Sequence, residues 1–296
     1  MTMTAPRANP LVSTAEQDHA TMDRAIARLH ERKDAWATLP IGQKIAYLRR
    51  MKTNTARVAD RWVTAAIQAK GIPADSPLTG EEWISGPWAL LFALNCYIDT
   101  LESIQRTGKP HLLPGAVRTR ADQHHGQVVV KVFPETVFHR LLLSGVTGEV
   151  WMQPGVTAQN LPDTMAVWYS QPHTTGTVAL VLGAGNIASI ALLDVLYKLL
   201  AEGQVCLLKM NPVNDYLGPF LEEAFGDLVK DGYVQLAYGG VAAGEYLCNH
   251  PDIQEIHITG SARTHDAIVW GSGPEAAERT AQHTPLNARR VTSELG

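Results

Sequence analysis

The chain has 296 residues, of which 45% are hydrophobic and 18% charged, so it can bury a core of one large or two modest domains, and wholesale disorder is excluded. A formal net charge of -4 offers no concentrated cationic surface for nucleic acid, and the pairs Arg118 with Arg120 and Arg289 with Arg290 read as solvated surface. Met1 to His19 lacks the apolar segment of a secretory leader, the most apolar stretches (Trp88 to Ile98, Ile187 to Leu200) fall short of the ~20 residues that cross a bilayer, and Cys96, Cys206 and Cys248 have neither metal-ligand nor disulfide spacing. The expectation is a cytoplasmic protein without membrane, nucleic acid or metal.

From Ala15 to Ala69 the spacing of Ala25, Ile26 and Leu29, then Ile45, Leu48, Met51 and Ala56, predicts helices, with Pro40 where one begins. Glu81 to Ile104 predicts another, interrupted near Gly86-Pro87. Thr107 to Gly126 reads as a connector. Gln127 to Phe133 is β-branched and bounded by Gly126 and Pro134, a strand, and Glu149 to Gln153 is a second. Val178 to Leu182 is an apolar run of strand length ending in Gly183-Ala184-Gly185. A helix follows, with Ile190, Leu193, Tyr197 and Leu200 on one face and Asp194 paired with Lys198 on another. Val205 to Leu208 is strand-like. Leu217, Phe220, Leu221, Ala224, Phe225 and Leu228 form one long helical stripe stopped by Gly232. Then come a strand at Val234 to Tyr238, a helix at Ala242 to Asn249, a strand at Ile253 to Ile258 and a helix at Arg263 to Trp270.

This alternation predicts an α/β fold: a Rossmann-like parallel sheet with helices on both faces, preceded by an N-terminal helical region and a short strand hairpin. The corresponding divisions are 1–125, 126–156 (a possible oligomerisation hairpin) and 157–296.

Gly183-Ala184-Gly185-Asn186-Ile187-Ala188 fits the G-x-G-x-x-A form of the dinucleotide fingerprint, after a strand and before a helix, although a tight glycine turn without ligand gives the same pattern. The next strand ends in Lys209 where the ordinary fingerprint has an acid for the ribose hydroxyls. Thr259-Gly260-Ser261 joins a strand to a helix, where free N–H groups and a hydroxyl suit a pyrophosphate and where Ser261 could equally be a plain cap. Glu294 is an apolar-flanked acid of a kind more often at the surface. His124-His125, His257 and His265 lack a second ligand at metal spacing and read as structural or exposed.

Taken in order, these pieces resemble the aldehyde dehydrogenase superfamily over most of the chain, most strongly from Gly176 onward. Val178 to Asn186 matches the family's strand and asparagine turn, with Ala184-Gly185 in place of the usual Pro-Trp. Lys209 falls on the lysine that binds the adenine ribose. Pro212 replaces the glutamate that favours NAD, so NAD and NADP both stay open. Tyr238-Gly239-Gly240 through Gly244, His250-Pro251-Asp252, Ile256 through Ser261 and Val291 through Gly296 follow the family's consecutive signatures.

The resemblance implies NAD(P)-dependent oxidation of an aldehyde to a carboxylic acid. Asn186 would be the oxyanion donor and Glu294 the general base, with Gly183, Gly185, Lys209, Gly240, Gly244, Gly260, Ser261 and Leu295 at the cofactor. The family's nucleophilic cysteine lies some tens of residues beyond that glutamate, so the expectation is a cofactor-binding portion without its catalytic domain, inactive alone. Alternatives are acylating chemistry on an acyl-thioester and a non-catalytic dinucleotide-binding protein. An ordinary dinucleotide-dependent reductase is disfavoured by Lys209. The resemblance also implies homo-oligomers in a full-length form, with Gln127 to Phe133 able to supply an interface strand.

Overall fold

A computed structural model describes residues 17–120 and 126–296; most of the stretch from Met1 to His19 and the whole of the His124-His125 pair lie outside the described residues. The chain divides into two compact units, one of residues 1–98 and 173–296 and the other of 99–172.

The first unit begins with α1 (His19–Ala37), capped by the Asp18 carboxylate, and α2 (Ile41–Lys70), entered at Pro40 and closed by Gly71 in the left-handed conformation. Ile26, Leu29, Ile45, Leu48 and Met51 are buried as the spacing predicts, with Met22, Val58 and Trp62 added, whereas Ala25 is half-buried and Ala56 is exposed. The interrupted helix appears as α3 (Thr79–Trp83), a π-turn over Ile84–Trp88 that contains Gly86-Pro87, and α4 (Ala89–Thr107), which runs into the second unit.

The second unit differs from expectation. The connector contains a strand, β1 (Val117–Thr119), which pairs with β2 (Val128–Phe133). After α5 (Val137–Leu142), β3 (Gly148–Trp151) pairs with the other side of β2. The predicted hairpin is therefore a three-stranded antiparallel sheet in the order β1-β2-β3. β1 has three residues, too few for alternation to declare it. Because β2 is central, the sheet's free edges belong to β1 and β3. Ala116, Val128, Val130 and Leu161 make this unit's small core, the last from α6 (Leu161–Thr164).

The first unit resumes with β4 (Val178–Leu182), α7 (Ile190–Ala201), β5 (Val205–Lys209), α8 (Gly218–Phe225), α9 (Asp227–Lys230), β6 (Val234–Ala237), α10 (Val241–Asn249), β7 (Glu255–Gly260), α11 (Ala262–Val269), α12 (Pro274–Gln282) and β8 (Arg290–Leu295). The five strands form a parallel sheet in the order β6-β5-β4-β7-β8. The chain steps outward from β4 to β6, then returns across β4 to β7. Right-handed crossovers thus place α7 and α8 on one face and α10 and α11 on the other. β4 and β5 are buried almost throughout and uniformly apolar up to Lys209.

Three details correct the sequence reading. The stripe from Leu217 to Leu228 is broken at Gly226, whose φ of 49° ends α8 before α9 starts. Asp194 and Lys198 do not pair. The Lys198 ammonium reaches Glu202 at 2.8 Å, Glu255 at 2.5 Å and Thr292 at 2.9 Å, while Asp194 accepts from Thr259 Oγ1 at 2.9 Å. Nor are Arg289 and Arg290 idle surface. Arg289 donates to the carbonyls of Cys248 and His250 at the end of α10, and Arg290 grips Glu255 and Glu202. β8 and α12 were not expected. Among the described residues no helix is long and apolar enough to cross a membrane, and no group of His, Cys, Asp and Glu could hold a metal ion.

Candidate functional site

The C-terminal ends of the parallel strands open into a cavity of about 900 Å³ in the first unit, at the point where the strand order reverses between β4 and β7. Gly183 after β4, Lys209 at the end of β5, Gly240 and Gly244 around the start of α10, and Gly260 with Ser261 at the start of α11 all line it. Six positions scattered over some eighty residues of sequence therefore meet at one place.

Local packing explains the glycines. A Cβ on Gly183 would stand 3.2 Å from the Lys209 carbonyl oxygen and 3.3 Å from Ala191 Cβ, so β4, β5 and α7 can approach only over a bare backbone. The Gly183 N–H donates to that same carbonyl at 3.0 Å, which ties the turn to the lysine. Around Gly240 and Gly244 an added Cβ would meet nothing within 4 Å and would project into open space. Gly240 caps α10 without a side-chain hydrogen bond, leaving the first N–H groups of the helix uncapped by any side chain. At α11 the Ser261 hydroxyl accepts from the Thr264 N–H at 3.2 Å and so caps the helix, a geometry that anion binding at the same N-terminus shares. The Lys209 side chain is 8% exposed, at the cavity rather than in solvent.

Four candidates lie off this wall. Gly185 is set by a neighbour, since a Cβ there would come within 2.9 Å of Asn211 Nδ2. Asn186 is exposed on the turn before α7. Glu294 and Leu295 are exposed at the end of β8, in register with Thr259 and Gly260. Glu294 is therefore open to solvent rather than enclosed by the sheet and its helices.

Sequence reasoning missed the far wall, formed by Ile268 on α11, Glu275 and Arg279 on α12, and Leu286 and Asn287. Arg279 donates to Glu275 at 2.6 Å and to the Trp270 carbonyl at 3.0 Å. Asn287 donates to the Cys248 carbonyl at 3.3 Å, which fastens this wall to α10. Gly273 followed by Pro274 at the first helical turn was the available signal for α12.

Two of the three thiols are buried and raised. Burial pushes Cys248, which lines the cavity, up to about 11, with Arg289 and Lys209 pulling the other way, and raises Cys206 further inside β5. Cys96 is half-buried on α4, more open than a core helix position implies.

No family model matches the chain. Human 4-trimethylaminobutyraldehyde dehydrogenase is 27% identical over 116 residues, which are 39% of this chain and 18% of that protein. An aldehyde dehydrogenase of Fusarium sp is 30% identical over 112 residues, 38% of this chain and 23% of that one. Among solved structures, the aldehyde dehydrogenase of Bartonella henselae aligns with a TM-score of 0.55 and 16% identity over 95% of this chain and 45% of its own. That of Mycobacterium tuberculosis complexed with NAD+ gives 0.56 and 16% over 95% and 44%, and glyceraldehyde-3-phosphate dehydrogenase of Methanocaldococcus jannaschii complexed with NADP gives 0.51 and 11% over 95% and 47%. The chain has the aldehyde dehydrogenase fold and resembles these enzymes in sequence, and it spans less than half the length of the solved structures it matches.

Proposed function

We propose that this chain is the NAD(P)-binding portion of an aldehyde dehydrogenase-type oxidoreductase that converts an aldehyde to a carboxylic acid. The observation that carries the reading is the convergence of Gly183, Lys209, Gly240, Gly244, Gly260 and Ser261 on one cavity at the strand-order reversal. The cavity fits a dinucleotide on its own terms: its volume lies in the range of cofactor sites, the glycine rim leaves room for a close backbone approach, and the uncapped start of α10 aims N–H groups at an anion. When bound, the nicotinamide accepts the hydride that leaves the substrate carbon.

The remaining roles belong to the chain's own side chains. Lys209 holds ribose hydroxyls with its ammonium. The first N–H groups of α10 and α11 face the pyrophosphate, Ser261 keeping the α11 start in shape through its cap on Thr264. Asn186, free of the cavity wall, presents its amide to the carbonyl oxygen of a substrate, and Glu294 accepts a proton at its carboxylate once its surroundings are dried. The substrate is a small-molecule aldehyde or, in the acylating alternative, an acyl-thioester.

The buried thiols of Cys206 and Cys248 support the further reading that the 296-residue chain alone oxidises no aldehyde. Calorimetric titration of the purified chain with NAD+ and with NADP+ tests the assignment. One-site binding of at least one of them is expected, weakened by about 10- to 100-fold in Lys209→Ala, the worth of a hydrogen bond to a charged group. A folded chain that binds neither contradicts it.

A further inference from the structure

Away from the cavity, several buried polar atoms find no partner among the described residues, among them the indole Nε1 of Trp62, Oε2 of Glu82 and the hydroxyl of Tyr216. Trp62 is 0% exposed and Glu82 2%, and buried donors and acceptors at such depth are nearly always satisfied by protein or by ordered water. The three belong to neighbouring elements. Trp62 is on α2, Glu82 on α3 and Tyr216 in the 3-10 turn Asp215–Leu217, and α3, the π-turn and the 3-10 turn each pack on α2.

Their mutual approach has two further signs. Burial, and then the charge of Glu82, push the Tyr216 hydroxyl up to about 12, so tyrosine and carboxylate share one interior region. Gly86 lies four residues after Glu82, and a Cβ there would lie 3.3 Å from Trp62 Nε1, so the indole nitrogen sits against the π-turn that follows directly on α3. The other oxygen of Glu82 accepts from Lys70 Nζ at 2.5 Å, which leaves Oε2 as the open acceptor.

We propose that Trp62 Nε1, Glu82 Oε2 and the Tyr216 hydroxyl form an internal hydration site that holds one ordered water. The indole N–H donates to the water oxygen, one water hydrogen goes to Glu82 Oε2, and the tyrosine hydroxyl supplies the third bond, the usual complement of a buried water. The chemistry selects water over ions. A cation would face the indole N–H and the charge of Lys70, and an anion would face Glu82. The location also has a consequence: the π-turn beside the site presents the Ser85 carbonyl, which accepts the Ser189 N–H at 3.2 Å, just before α7 and after the Asn186 turn. The water thus underpins the backbone against which that turn is set.

The test uses the unmodified full chain. A crystal structure that orders solvent is expected to show a single water within hydrogen-bonding distance of all three atoms. In solution, one of the seven tryptophan indole N–H groups, identified by its disappearance in Trp62→Phe, is expected to show cross-relaxation with a long-lived water. Tyr216→Phe, which keeps the ring and its packing, is the second arm and should abolish that cross-peak by freeing the water to exchange. A dry contact, with the indole or the tyrosine hydroxyl bonded directly to Glu82, overturns the proposal, as does a Trp62 indole with no water cross-peak or a cross-peak unchanged in Tyr216→Phe.

Discussion

The centre and the edge of the parallel sheet are held together by different physics. β4 and β5 present apolar residues to both faces, and Val178, Leu180, Val181, Val205, Leu207 and Leu208 are all fully buried. β7 and β8 instead turn a polar ladder toward α7, with Glu255 opposite Arg290, His257 opposite Thr292 and Thr259 opposite Glu294. Into it reach Lys198 and Asp194 from the helix. His257 Nδ1 lies 2.9 Å from Thr292 Oγ1, and Gln204 donates to Glu255 at 2.7 Å. The centre is fixed by area removed from water, which is non-directional. The edge is fixed by a connected network of hydrogen bonds, which specifies register but is weakened when one member is removed.

The sharpest way to break this comparison is Lys198→Ala. It leaves Glu255 and Glu202 short of a buried partner and should cost about 3–5 kcal/mol in urea unfolding, as for other broken buried ion pairs. Leu207→Ala in β5 should cost about 2–5 kcal/mol, the range for a core leucine, with little dependence on pH or salt. If both losses showed the same salt dependence, the distinction between centre and edge would fail.

That contrast also explains what the sequence could and could not disclose. Central strands are short apolar runs between turn residues, so Val178 to Leu182 and Val205 to Leu208 were legible at once, as was the alternation that makes the sheet parallel. β8 carries Arg290, Thr292 and Glu294 on one face and buries little, so no apolar period marks it. Its partners lie 35 residues and more away, for instance at Glu255, and only the fold brings them together. The same reason hid Glu255 as a partner of Lys198, since helical spacing offered only Asp194 and Glu202, four residues to either side, and the sheet supplied Glu255. In the cavity, the rim residues that sit just after strands were legible from glycine and lysine placement. The far wall was not, because Arg279, Leu286 and Asn287 come from a helix and loop with no dinucleotide signature.

A smaller effect tests the edge through protons. Burial tends to raise the Glu202 carboxyl, but hydrogen bonds from Arg290 and Lys198 hold it below its ordinary 4.5. A carboxylate depressed in the folded state contributes stability that is fully present above pH 4.5 and is lost as pH falls through the lower folded value. Arg290→Gln should therefore lower stability by about 1 kcal/mol near neutrality, discounted because more than half of that side chain meets solvent, and should flatten the acid limb of the pH–stability profile. An acid limb identical to that of the parent chain would contradict the role given to Arg290. Smallest of all, Ser261→Ala removes the cap of α11 and should cost about 1 kcal/mol or less in stability, while weakening dinucleotide binding only through the disturbed helix start. A loss of binding as large as that of Lys209→Ala would instead mean that the hydroxyl touches the ligand.

The account rests on six distant residues serving one dinucleotide, and amide hydrogen exchange with and without saturating NAD+ or NADP+ reads that directly. Protection is predicted at Gly183, at Lys209 to Asn211, in the first turn of α10 and at Gly260 to Thr264, with β2 and β3 unchanged. Tight binding accompanied by protection elsewhere, and none at these four places, would contradict it.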